Sequence, residues 1–135
     1  MREEIRHRDP KAEFYTPERC FIIELSNVAQ DPDASIAEAR VEPGVTTRWH
    51  RLKDTTERYV LLSGSGHIEV GDLQPEHVQA GDVVLIPPGV RQRITNTSDT
   101  SLVFLAICTP RFEPAAYEDI DPEPLPAKQS DTVEV

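Results

Sequence analysis

The stretch Gly44-Val-Thr-Thr-Arg48-Trp-His50-Arg-Leu52-Lys-Asp-Thr-Thr-Glu57-Arg-Tyr59-Val-Leu-Leu-Ser-Gly64 decides how the rest of the chain is read. It opens on the turn Pro43-Gly44 and closes on the glycine-rich turn Ser63-Gly-Ser-Gly66. Between the turns, two short runs each carry a side chain able to bind a metal or move a proton, His50 and Glu57. Residues two apart on a strand share a face. Thr46, Arg48, His50 and Leu52 therefore look one way, and Glu57, Tyr59 and Leu61 share a face of the next strand. A hairpin-like return through residues 53–56 brings imidazole and carboxylate to one pocket among apolar neighbours.

Outward from this stretch, short strand-like runs follow one another. Arg19–Leu25 precedes a turn-rich segment, Ser35–Val41 alternates in polarity, and Gly66–Val70 is followed by the hairpin signal Gly71-Asp72. Val83–Ile86 is continuously apolar and is stopped by Pro87-Pro88-Gly89. Val90–Thr95 follows, and Leu102–Cys108 is apolar on both faces. No sustained helical period occurs, so the pattern predicts an all-β barrel or sandwich.

The first stretch resembles the first cupin motif, with Gly44, His50, Glu57 and Gly64 on its spacing and Leu52 at its second histidine position. Gly81, Pro87, Gly89 and Asn96 follow the second cupin motif, with Gln92 where a histidine is expected. The resemblance implies a double-stranded β-helix, the cupin jelly-roll barrel, and one divalent metal held by His50, Glu57 and Gln92, with water completing its shell. It also implies a small-molecule site. Two uses of that site stand open: a metal-dependent enzyme of oxygenase, isomerase or lyase type acting on a small carboxylated or hydroxylated substrate, or a binding protein without metal or turnover.

Within that site His50, Glu57 and Tyr59 are the candidate catalytic groups, as proton carriers or donors. Arg48 would hold a substrate carboxylate and Gln92 would orient the substrate through its amide. Leu52 and Ile94 would form apolar wall. His7 and His77 read as surface residues, His67, just past the glycine turn, has no parity assigned by the pattern, and Arg91 and Arg93, of opposite parity to Gln92, read as facing solvent or a partner.

The 135 residues and 38% apolar content fit one domain: an arm over residues 1–18, a barrel over 19–110 and a tail over 111–135. The tail holds seven acids against Arg111 and Lys128, and five prolines fall between Pro110 and Pro126. It reads as partly disordered, with Phe112 and Tyr117 pinning its start. A net charge of −10 argues against nucleic acid. No apolar run reaches the roughly 20 residues needed to cross a bilayer, and no signal peptide is evident, so a cytoplasmic protein is expected. Cys20 and Cys108, each inside an apolar run, read as buried reduced thiols. Two strands apolar on both faces, Cys20–Ile23 and Leu102–Cys108, lead to the expectation of a homodimer. Asn96-Thr97-Ser98 matches a glycosylation sequon.

Overall fold

A computed structural model describes residues 1–126. The expected disorder of the tail falls partly on residues 127–135, which lie outside the described residues. Eleven strands form among the described residues: β1 (Phe14–Tyr15), β2 (Phe21–Ser26), β3 (Ser35–Val41), β4 (His50–Leu52), β5 (Thr56–Ser63), β6 (Ser65–Val70), β7 (Glu76–Gln79), β8 (Val83–Ile86), β9 (Gln92–Asn96), β10 (Leu102–Thr109) and β11 (Tyr117–Asp119). They make two antiparallel sheets, one ordered β1-β2-β3-β10-β5-β8 and the other β11-β4-β9-β6-β7. The fold is an all-β double-stranded β-helix.

Alternation puts the core between the sheets. Along β5, Glu57, Tyr59 and Leu61 are buried. Tyr59 and Leu61 join Leu102 and Phe104 of β10, Ala39 and Val41 of β3, and Ile68, Val70 and Ile94 from the opposite sheet. The turn between β5 and β6 depends on glycine. Gly64 has a φ of +80°, and a side chain there would collide with the Ser101 carbonyl, 2.6 Å from its first carbon. At the far end of β9, Asn96 is wholly buried and satisfied. Its amide nitrogen donates to the carbonyls of Val41 and Thr100, each at 2.8 Å, and its oxygen accepts from the Ser98 amide and hydroxyl.

The expected hairpin through residues 53–56 does not pair. β4 and β5 lie in different sheets, and the turn, with Asp54 at a φ of +52°, carries the chain across the barrel. The two strands face each other through the interior.

Both extensions are tied to the barrel at defined points. β1 pairs with β2, and Arg8 and Arg40 form ion pairs with Glu38 and Glu13 across that edge. Ile5 does not dock and stays exposed. Downstream, β11 pairs with β4 in the register Tyr117↔Leu52, Glu118↔Arg51 and Asp119↔His50. No helix among the described residues is long and apolar enough to cross a membrane.

Candidate functional site

A cavity of about 340 Å³ lies between the sheets and under both extensions. Its room comes from small residues. Ala37 and Ala39 on β3 and Ala106 on β10 face it, Ala37 and Ala106 being directly paired. Central strand positions are normally filled by larger side chains that pack to crystal-like density. Phe14, Phe112 and Pro114 from the extensions form the opposite apolar wall.

The polar corner is made by His50, Glu18, Glu57 and Tyr59, all lining the cavity. His50 opens β4 and is buried. Its Nδ1 lies 2.8 Å from the Arg48 carbonyl, which can only accept, so Nδ1 carries hydrogen. Nε2 stands 3.2 Å from Glu18 Oε2, within ion-pair distance of that carboxylate. Tyr117 lies flat against the imidazole, with centroids 5.1 Å apart and planes 20° apart.

Glu18 belongs to a tight turn. The Thr16 amide donates to the Cys20 carbonyl, the Arg19 amide donates to the Thr16 carbonyl, and the Glu18 carbonyl accepts from the Arg48 amide. Arg19 takes a φ of +75°, an unfavourable value for a side-chain-bearing residue. Its guanidinium ties the turn to the Thr46 carbonyl and the Glu123 carboxylate. Backbone strain held by surrounding contacts in this way commonly marks a functional site.

Behind the cavity wall runs a second polar chain. The Tyr59 hydroxyl donates to Gln92 Oε1 at 2.5 Å, and Gln92 Nε2 donates to Glu57 Oε1 at 2.8 Å. Burial pushes the Glu57 carboxyl above the usual carboxylate range, against the opposing pulls of His50 and the Gln92 amide. Burial likewise holds the Tyr59 phenol well above its ordinary value, with the nearby Glu57 charge acting in the same direction. The thiols of Cys20 and Cys108 are both buried and free. Desolvation raises both of them, so neither is a ready thiolate.

Three expected roles change. Arg48 is buried but turns away from the cavity. Its Nε donates to Asp119 Oδ2 at 3.0 Å and another nitrogen donates to the Glu123 carbonyl, so it secures the C-terminal segment instead of holding a substrate. Gln92 lies behind Glu57 and Tyr59 and orients those side chains, not a ligand. Tyr59 reaches the cavity, but its hydroxyl hydrogen is committed to Gln92. Of the expected apolar wall, Leu52 lines the cavity and Ile94 packs in the core beside it.

The expected metal set is not assembled either. Leu52 offers no donor atom. The Gln92 oxygen accepts from Tyr59, and its NH2 group donates to Glu57, so both ends of the amide are already engaged with side chains. Glu18 Oε2 stands 3.2 Å from the His50 Nε2 that a metal would need. No three His, Cys, Asp or Glu side chains converge as a ligand set among the described residues. These donors do not fit the metal that the cupin motif implies.

Sequence reasoning missed Glu18, which sits in a charged, proline-bounded segment with no period. The turn-forming Thr16-Pro17 immediately ahead of an apolar strand was the available signal.

Comparison with known proteins places the chain. The cupin domain family profile matches residues 37–108. An uncharacterized protein of Methanocaldococcus jannaschii is 30% identical over 95 residues, which span 70% of this chain and 73% of that one. A vicilin-like seed storage protein of Arabidopsis thaliana is 41% identical over 85 residues, 60% of this chain but only 17% of that much longer protein. Among solved structures, a nucleoside dehydratase from Streptomyces superposes with a TM-score of 0.71 at 16% identity, covering 87% of this chain and 92% of that one. A storage protein and an enzyme thus share one barrel, and the fold alone does not choose between them. Motif spacing, sheet order and profile agree: the chain belongs to the cupin family.

Proposed function

We propose that this cupin binds a compact, largely apolar and uncharged small molecule, and that His50 with Glu18 holds or moves a proton at a hydroxyl or carbonyl group of that ligand. The observation that carries this reading is the His50–Glu18 contact in the polar corner of a cavity walled elsewhere by alanines and aromatic rings. An imidazole whose Nδ1–H is fixed by a carbonyl offers only Nε2 for proton exchange, and a carboxylate beside it stabilises the protonated ring. The cavity lining contains Glu18, Glu24 and Glu57 against His50, with no lysine or arginine. A carboxylated ligand would meet Glu18 and Glu24 with no lysine or arginine to offset them, so a hydroxylated or carbonyl-bearing one fits better. Gln92 and Tyr59 keep Glu57 oriented and desolvated at the wall, where it supplies a second acceptor. The dehydratase of the same fold is an enzyme, and the seed storage protein leaves room for a barrel that only binds.

A matched series of benzyl alcohol, benzaldehyde and benzoate, titrated against the protein and followed by NMR, tests the reading. Benzyl alcohol or benzaldehyde should shift cavity-lining signals at lower concentration than benzoate, and the responses should vanish in Ala37→Leu, which fills the cavity. His50→Ala should weaken the polar ligands by roughly tenfold, as expected for losing one hydrogen bond to an ionisable group, about 1.5 kcal/mol. Tightest binding by benzoate, or shifts that persist in Ala37→Leu, would sink the proposal.

A further inference from the structure

The hairpin β6–β7 presents a second site, on the opposite face of the sheet from the cavity. His67 and His77 are directly paired across it, and both are exposed. Their rings stand 6.1 Å apart, centroid to centroid, at an interplanar angle of 87°. Directly opposed residues on antiparallel strands hold their Cβ atoms about 4.5–5.5 Å apart, so the pair is set by the backbone and not by chance rotamers.

We propose that His67 and His77 form a surface site for one borderline divalent transition metal ion, of the Cu2+, Ni2+ or Zn2+ kind. Neutral imidazole is a good ligand for these ions and a poor one for Mg2+ or Ca2+. With metal–nitrogen bonds of about 2.1 Å, two imidazoles sharing an ion place their ring centres roughly 5 to 6 Å apart. The observed separation meets that requirement with a small turn of either side chain. Perpendicular planes let both rings approach one ion without contact between them.

The surroundings define the rest of the shell. Glu69 shares the His67 face, but its carboxylate is engaged by Arg93. Ser65 and Gln79 are the next opposed pair on the same face as the two histidines. No third strong protein ligand is therefore committed to the ion, and water or an external ligand completes it. Because β7 is the outer strand of its sheet, a bound ion would also clip that edge to β6. The site rests on strand register alone and is independent of the cavity and of the function proposed for it.

Calorimetric titration of untagged full-length protein with Cu2+, and separately with Zn2+, gives the test. One equivalent should bind per chain, and His67→Ala and His77→Ala should each weaken it at least tenfold, while His7→Ala leaves it unchanged. Gln79→His, which adds an imidazole on the same face, should tighten binding at least tenfold. In the zinc titration, the ring signals of His67 and His77 should shift together while that of buried His50 stays still. Binding that survives both alanine variants, or that is lost only in His7→Ala, would overturn the site. So would no binding at millimolar metal, or a Gln79→His variant no tighter than the parent.

Discussion

The barrel strands and the two chain extensions contribute to one cavity in different ways. The strands supply the frame and the residues that periodicity assigns inward: His50, Glu57, Leu52 and the alanines that make room. The extensions supply the partners that give those residues their chemistry. Glu18 comes from the turn before β2, and Tyr117, Phe112 and Pro114 come from the segment after β10. Here the frame carries Leu52 and Gln92 at two expected ligand positions, and the extensions set Glu18 beside His50 and lay Tyr117 against its ring.

If this division holds, the largest effect should come from loosening an extension at its buried anchor. Arg48 has only 2% of its side chain exposed, and one of its terminal nitrogens has no partner, so its charge relies on Asp119 and the Glu123 carbonyl. Asp119→Ala should cost roughly 3 kcal/mol, because it strands a buried cation. Arg48→Met keeps the apolar stem, removes the charge and should cost distinctly less. Chemical denaturation measures both, and equal losses would show that the anchor works by packing and not by charge.

A smaller effect should come from Glu57, on the barrel side of the comparison. Its folded-state carboxyl titrates above the ordinary value of 4.5, chiefly through burial. The folded protein therefore holds this proton more tightly than the unfolded chain does. The resulting contribution is present at low pH and declines as pH rises above about 4.5 toward the folded-state value. Glu57→Gln, which keeps an acceptor for Gln92, should flatten that decline, so the variant gains on the parent in melting temperature as pH rises. Parallel melting curves from pH 4 to pH 8 would contradict the assignment.

The smallest effect on stability concerns the outer surface of the first sheet. On the outer side of the first sheet, Val83, Val60 and Leu105 align across β8, β5 and β10, with Leu62 and Leu85 exposed beside them. The expected homodimer would use this face. Burying it is favourable by roughly 25 cal/mol per Å² before association costs. Light scattering over a dilution series should give a dimer mass for the parent and a monomer mass for Leu85→Lys, with melting of the isolated barrel little changed. A monomer at every concentration removes the dimer.

The legibility of the molecule follows the same division. Ser35–Val41 and Val83–Ile86 were readable to the residue, because strand alternation and flanking Pro and Gly turns are local signals. The inward parity of His50, Leu52, Glu57 and Tyr59 was readable for the same reason. Arg48 shows where the rule stops. Residues 47–49 lie outside any strand, Thr47 and Arg48 are both buried, and a period of two has no meaning there. The fate of Gln92 was hidden because its partners, 33 and 35 residues away, are set by the closure of two sheets. Glu18 was hidden because nothing near it in sequence announces a histidine 32 positions later.

Asn96 carries a consequence of another kind. Both polar atoms of its amide are enclosed and fully engaged with Val41, Thr100 and Ser98. A carbohydrate tree on that nitrogen would need the hydrogens that bind those carbonyls and space that the barrel does not contain. The sequon is therefore closed once the chain has folded. In a secretory compartment, an enzyme adding glycans could reach it only on the nascent chain, and a molecule so modified could not close β9 onto its neighbours.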